Sequence, residues 1–289
     1  MRARAVPAAA ALLALVATPV AALACPPAEA VATLADSIAA ARPAQSLGPG
    51  LSVADGLCAQ ARVVDRLSAE MGPPVGHKVG LTNPQVQQRF GVPHPVRGVL
   101  LRDMLKPSGA TVPASFGAVP MFESDLLVVV RDAGVNDAFD RLGVLRSLEA
   151  VVPFIELPDL VLAQGEHMDG AVLTAINVGA RMGVVGERVP AEATQAFADR
   201  LAAMTVVATD DTGRELSRAP GAAILGHPLD VVLWLAEDLR RTGGRLQAGD
   251  VISLGSFSPL TRPEPGRTVT VRYEGLVDGA APEARVTFR

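Results

Sequence analysis

Aromatic residues are scarce in this chain. Eight Phe, one Trp and one Tyr are all that 289 residues contain, or 3%. So few rings leave no basic, aromatic-interleaved patch of the kind that single-strand binders use. A formal net charge of -4 gives no electrostatic reason to expect nucleic acid either. No nucleic-acid partner is therefore expected, and Leu, Val and Ala must fill the core. Internal repeats are absent, and so are low-complexity tracts beyond the N-terminus. Cysteine is limited to Cys25 and Cys58. What is present is ordinary globular composition, 49% hydrophobic and 19% charged, on a chain long enough for a large core.

The first 24 residues read as a targeting segment. Arg2 and Arg4 form a basic start, an apolar run follows, and Ala22-Leu23-Ala24 is a small-x-small cleavage site. The apolar run is too short, and too near that site, for a membrane span. Export to a bacterial periplasm is the expectation. Cys25 follows the site directly, so two fates compete for its sulfur. One is lipidation, which would anchor the chain at Cys25, although Ala22-Leu23-Ala24 is an imperfect lipoprotein box. The other is a Cys25–Cys58 bridge, which an oxidising compartment tolerates.

Local patterns give helices over 28–42, 55–71 and 84–90, the last opened by Asn83-Pro84. From Gly98 the period changes to short β-rich runs, over 98–101, 118–130, 171–178, 182–186, 205–209, 251–253, 268–273 and 284–288. Helices interrupt them near 136–142 and over 191–204 and 228–241. Many short strands between Gly/Pro turns argue an α+β fold with a mixed β-roll and an N-terminal helical cap. The expected division is 1–24 signal, 25–97 cap and 98–289 β-roll.

The acidic residues of two apolar stretches carry the chemistry. In Met121-Phe122-Glu123-Ser124-Asp125-Leu126, Glu123 and Asp125 project from one face of a strand. Buried carboxylates at that spacing repel each other unless a cation lies between them. Glu156, in Pro153-Phe154-Ile155-Glu156-Leu157, offers a third set of oxygens. Three carboxylates with open positions suit Mg²⁺ or Mn²⁺. The plainer reading is two solvated strand carboxylates with Glu156 salt-bridged elsewhere.

An ordered set of short segments runs with these acids. It comprises Gly76-His77-Lys78-Val79-Gly80, the Pro84–Gly91 segment, Leu225-Gly226-His227-Pro228, and Gly249-Asp250-Val251-Ile252-Ser253-Leu254-Gly255-Ser256. From about Asp55 to the C-terminus the chain resembles the 2-keto-4-pentenoate hydratase and 4-oxalocrotonate decarboxylase branch of the fumarylacetoacetate hydrolase superfamily. The resemblance implies a homo-oligomer and a divalent metal held by Glu123, Asp125 and Glu156, where the family carries Glu-x-Glu and a later Glu. Here the second position is one methylene shorter. It also implies a metal-dependent lyase on a small 2-oxo acid, with hydration of a 2-hydroxy-dienoate as the leading reaction. Lys78 falls where the family places a lysine that can hold the substrate carboxylate or the enolate charge. An exposed strand-end lysine is the plainer alternative.

Two departures accompany the likeness. Val96 and Ile176 stand where the family usually carries Asp, while Asn177 is retained as a candidate substrate contact. A lost carboxylate removes a candidate acid/base. Arg97 and Arg181 bring positive charge nearby, either to bind a second substrate carboxylate or as surface residues. His77 and His94 read as structural, His227 as the organiser of a helix start, and His167 as exposed. The competing functions are an acylpyruvate hydrolase or 2-oxo acid decarboxylase on the same scaffold, and an exported non-catalytic protein that binds a small carboxylate.

Overall fold

The structure, a computed structural model, describes residues 25–289. The expected leader and its cleavage site lie outside the described residues. The chain opens with α1 (Ala28–Ala39) and α2 (Val53–Met71). Ser52 and Asp55 close a capping box at the start of α2 and satisfy two of the orphan N–H groups there. Asp55 therefore lies at the third helical position, not at the cap itself. Val63 and Leu67 recur at the helical period and face inward, as do Leu34 and Ile38 on α1. The Cys25 sulfur is bonded to Cys58 on α2. The structure thus shows the disulfide of the two alternatives.

Then come β1 (Pro74–Gly80), α3 (Pro84–Arg89), β2 (Val96–Leu101), β3 (Leu105–Pro107), β4 (Ala110–Val112), β5 (Glu123–Val130), α4 (Arg141–Arg146) and β6 (Leu148–Leu157). They are followed by α5 (Gly170–Ala175), β7 (Met182–Val185), β8 (Val189–Pro190), α6 (Gln195–Ala203), β9 (Thr205–Asp210) and β10 (Glu215–Pro220). The last are α7 (Pro228–Arg241), β11 (Val251–Ser253), β12 (Thr268–Glu274) and β13 (Glu283–Phe288).

The strands form two sheets. The larger runs β2-β1-β11-β5-β6-β7-β3, with β8 on β6; the smaller runs β10-β9-β12-β13-β4. β5 and β6 are central and nearly all buried, so they read as continuous apolar runs rather than alternating ones. Leu126, Val128 and Val130 point into a core shared with the smaller sheet and with α6 and α7. Leu127 and Val129 point the other way, into a second core with α1, α2 and α5. α2 crosses α5 so closely that a Cβ on Gly56 would lie 2.4 Å from the Ala171 carbonyl oxygen. Only glycine fits at that crossing.

Two expectations are corrected here. The segment 171–178 was expected to be a strand; it is the helix α5 followed by a 3-10 turn over Asn177–Gly179. Asp169 caps it by accepting from the Val172 N–H. The domain boundary expected at residue 97 falls inside β2, and β1 and β2 both pair within the larger sheet. The helical cap therefore shares its chain segment with two strands of the β-roll.

Candidate active site

Register on the larger sheet gathers the acids. Glu123 on β5 lies directly opposite Glu156 on β6, and Asp125 opposite Phe154. Glu123, Asp125 and Leu127 share one face, the one turned toward the second core. Lys78 on β1 pairs with Ser253 on β11, and Ser253 pairs with Leu127. The Lys78 ammonium crosses that face and forms an ion pair with Glu156. Lys78 is 3% exposed, Glu156 2% and Asp125 0%. Lys78 is therefore no strand-end surface lysine. Glu123 is the partly exposed member and forms the outer edge of the group.

The electrostatics follow from burial. Desolvation pushes Lys78 down to about 8, while Glu123 and Asp125 pull it back up. Desolvation also pushes Asp125 up to about 7, against the Ser253 hydroxyl bond that favours its charged form. Burial raises Glu123 too, against the pull of Lys78 and a bond from Ser256. Three carboxylates and one ammonium leave a formal deficit of two positive charges in a nearly dry place.

The three acids differ in their partners. Asp125 is taken up by β11 and the turn after it. Its Oδ2 accepts from Ser253 Oγ at 2.5 Å. Its Oδ1 accepts from the N–H groups of Leu126 (2.5 Å), Leu254 (3.1 Å) and Gly255 (3.0 Å). Among the described residues, no group of three or more His, Cys, Asp and Glu side chains is placed to hold a metal ion. Asp125 is thus held by β11 and the turn after it, on the same face as Glu123 and Glu156. Glu123 and Glu156 do fit a hard divalent ion. Their Cβ atoms face each other across one strand pair, and Mg²⁺ is commonly held by only one or two carboxylates plus substrate and water.

The other sequence candidates are placed elsewhere. Arg97 donates to Asp238 Oδ2 (2.8 Å) and Thr242 Oγ1 (2.9 Å), which ties β2 to the end of α7. Arg181 donates to the Phe116 and Ile38 carbonyls (3.3 and 2.9 Å) and so closes the C-terminal end of α1. Both guanidiniums are engaged in holding the fold, which corrects their assignment to substrate. Asn177, 0% exposed, behaves like a strand partner. Its Oδ1 accepts from the Val99 N–H (2.7 Å) and its Nδ2 donates to the Val99 carbonyl (2.9 Å). It holds a φ of +57°, which an Asn tolerates better than most residues. Its substrate role is corrected to a backbone brace. Val178, at φ +54°, lies against Gly80, where a Cβ would come within 2.6 Å of its Cγ1. Val96 and Ile176 are buried in the apolar cluster beside it.

His227 caps α7 as expected: its Nδ1 accepts from the Leu229 N–H and its Nε2 bonds the Ala198 carbonyl, both at 3.0 Å. His167 bonds Asp169 at the surface. Two residues escaped the sequence reading. Ser253 lies in the Gly249–Ser256 segment, but no role there was assigned to it. Tyr273, the only tyrosine in the chain, is fully buried. Its hydroxyl accepts from the Phe154 N–H and lies within reach of the backbone carbonyls of Asp125 and Phe154, one of which takes its single proton, so it supports the β5–β6 ladder directly under the acids. A lone buried tyrosine in an aromatic-poor chain is the signal that could have found it.

Comparison with known proteins places this arrangement. The chain is 30% identical over 256 residues to 2-keto-4-pentenoate hydratase 2 of Dechloromonas aromatica (strain RCB), covering 86% of this chain and 94% of the relative. The chain belongs to the 2-keto-4-pentenoate hydratase family. No protein-family model matches it. Among solved structures, 4-oxalocrotonate decarboxylase from Pseudomonas putida G7, complexed with magnesium and adipate, superposes with a TM-score of 0.76 at 25% identity. That match covers 90% of this chain and 97% of the other. Fumarylpyruvate hydrolase from Pseudomonas aeruginosa, in complex with Mn²⁺ and pyruvate, shares the fold, with a TM-score of 0.53 at 15% identity over 74% of this chain and 89% of the other. The family and the mixed α+β fold expected from sequence are both borne out.

Proposed function

We propose that this protein is a divalent-metal-dependent hydro-lyase that adds water to a small 2-hydroxy-dienoic acid. The observation that carries the reading is the buried Lys78 ammonium among Glu123, Asp125 and Glu156 on one sheet face, in a chain of the hydratase family. Glu123 and Glu156 would hold Mg²⁺ or Mn²⁺, the ions found with the relatives' folds. When bound, such an ion supplies Lewis acidity toward the 1-carboxylate and 2-oxo group of the substrate.

The chain's own groups do the rest. Lys78 places a fixed positive charge where the dienolate oxygen develops, in a site from which water is largely excluded. Its pair with Glu156 fixes the ammonium before substrate arrives, so no reorganisation is needed as charge builds. Ketonisation of the dienol then leaves an alkene conjugated with the 2-oxo group. Water adds across that alkene, with hydroxyl and proton both retained in the product.

Decarboxylation of a 2-oxo acid is the second reading. It is favoured by the 4-oxalocrotonate decarboxylase superposition. Purified mature protein with Mg²⁺ or Mn²⁺ and 2-hydroxypenta-2,4-dienoate tests the first. The dienoate absorbance should fall as a 4-hydroxy-2-oxo acid forms. No loss of that absorbance, together with CO₂ release from 4-oxalocrotonate, would move the assignment to the decarboxylase.

We also propose export to the periplasm with a disulfide in place of a lipid. Support comes from the Ala22-Leu23-Ala24 site and from the Cys25–Cys58 bond, which suits an oxidising compartment.

A further inference from the structure

We propose that Thr82 is a substrate-binding residue, whose hydroxyl donates a hydrogen bond to the 1-carboxylate of the 2-oxo acid held beside Lys78. The inference rests on the function proposed above and deepens it by adding a contact to that site.

The four short segments that the sequence marks out beside the acids all meet at Thr82. The Gly76–Gly80 segment runs into it through Leu81. From the Pro84–Gly91 segment, Gln87 Nε2 donates to the Leu81 carbonyl at 2.8 Å. From Leu225–Pro228, the Leu225 N–H donates to the Thr82 carbonyl at 2.9 Å. From Gly249–Ser256, Gly255 packs so closely that a Cβ there would lie 2.4 Å from the Thr82 hydroxyl oxygen. Leu81 and Leu225 are both held in the left-handed region, at φ +57° and +50°. Leucine takes that conformation only where its surroundings impose it, and strain of this kind collects at functional sites.

The side chain held with such effort has an idle hydroxyl. Thr82 is 6% exposed, and its hydroxyl bonds no protein group. Yet the oxygen is not sealed in. Among the described residues, the buried side-chain polar atom without a partner is His77 Nδ1. The Thr82 hydroxyl therefore opens to solvent from an otherwise buried side chain. It does so next to the acids, because the Gly255 N–H against it donates to Asp125 Oδ1 at 3.0 Å. Lys78 precedes it on the same strand segment.

Substrate chemistry selects the partner. A 2-hydroxy-dienoic acid carries acceptors at its 1-carboxylate and its 2-oxygen, and only hydrocarbon beyond them. The 2-oxygen falls to the Lys78 ammonium. The carboxylate, with about four lone-pair sites, still has room for a hydroxyl donor. A bond to that charged acceptor is stronger than one between neutral groups.

Thr82→Val removes the hydroxyl at nearly constant shape, and Thr82→Ser restores it. The probe is pyruvate, which has the carboxylate and the 2-oxo group without the diene. Its binding to the full mature protein loaded with Mn²⁺ is measured by calorimetry, next to Mn²⁺ affinity, thermal melting and dienoate kinetics. Thr82→Val should weaken pyruvate binding by about 10- to 150-fold, the span for a hydrogen bond to a charged group. KM for the dienoate should rise with kcat little changed, as for a contact made equally in ground and transition states. Mn²⁺ affinity and melting temperature should stay at the parent values, and Thr82→Ser should return most of the pyruvate affinity.

Unchanged pyruvate affinity in Thr82→Val overturns the proposal. A weakening that Thr82→Ser does not rescue marks a packing role and overturns it too. If Thr82→Val does not fold, a crystal structure of the parent with Mn²⁺ and pyruvate decides. Thr82 Oγ1 within about 3.5 Å of a carboxylate oxygen supports the contact, and a longer separation refutes it. A parent that binds pyruvate through Thr82 but leaves the dienoate unchanged overturns the hydratase reading alone. A parent that binds no pyruvate overturns the contact itself.

Discussion

Lys78→Ala isolates the most exposed part of the functional argument. In the structure the ammonium is 3% exposed and paired with Glu156, with Glu123 and Asp125 on the same face. Removing it deletes a preorganised charge aimed at the developing dienolate, a loss of about 2–4 kcal/mol in the barrier. At 1.36 kcal/mol per decade, turnover should fall by about 30- to 900-fold. The metal-free protein should also lose stability, because Glu156 is left as a buried carboxylate without its partner. Breaking such a pair costs about 3–5 kcal/mol. Mn²⁺ should return part of that stability, since a cation bound at Glu156 replaces the missing charge. Metal affinity itself should hold or rise, because a neighbouring positive charge has gone. The assay is dienoate absorbance for turnover, calorimetry for Mn²⁺, and thermal melts with and without the ion, on parent and variant alike. Unchanged turnover in an active, Mn²⁺-loaded Lys78→Ala would refute the charge-stabilising role. An unchanged metal-free melting temperature would refute the buried pair.

Other perturbations test the frame around the site. Burial first, and the nearby Arg97 charge second, push His77 down to about 4, and its Nδ1 is buried with no partner. A histidine depressed below its ordinary value of about 6.5 favours the folded state fully above that pH, and the contribution is lost as pH falls from 6.5 through 4, by up to about 3 kcal/mol. His77→Gln should flatten the slope of unfolding free energy against pH in that window; an unaltered slope places the effect on another group. Reduction of Cys25–Cys58, or Cys58→Ser, should cost about 3–4 kcal/mol for a loop closed over 33 residues, read as a lower melting temperature. Asn177→Ala should destabilise by about 2–5 kcal/mol, from two backbone groups of Val99 left unpaired and a left-handed φ imposed on alanine, with KM little changed. A large KM change at intact stability would return Asn177 to the substrate. Mass spectrometry of protein from the native host should find a chain that starts at Cys25 with no lipid; an intact Met1 in a cytoplasmic fraction would contradict export.

The sequence is legible where local chemistry decides and opaque where distant partners do. Helix α7 spans Pro228–Arg241 as expected, because a histidine cap, a proline in the first turn and an apolar stripe all lie within the segment. Helix α5 was misread as a strand because all six of its residues are buried. A segment covered on every side carries no polar period, so a short run of Val, Leu and Thr looks like β-structure. β6 hid for a related reason, since both its faces are covered.

At the site, identity and face were readable, because alternation alone puts Glu123 beside Asp125, and family likeness adds Lys78 and Glu156. Direction was not readable. Asp125 turns toward β11 on account of donors 128 to 130 residues away, and nothing in Glu123-Ser124-Asp125 encodes them. Arg97 and Arg181 mislead in the same way. A guanidinium near a presumed anion site looks like an anchor until Asp238 or a helix-end carbonyl is seen to hold it. The buried charge balance follows a stricter rule than either. A lysine kept at 3% exposure needs an anion, three carboxylates around one ammonium call for a further cation or for protons, and only residues brought together from β1, β5 and β6 could present that demand. The same deficit that makes the isolated face costly is what lets a divalent ion bind there, so the site's instability without metal and its proposed affinity for metal are one property.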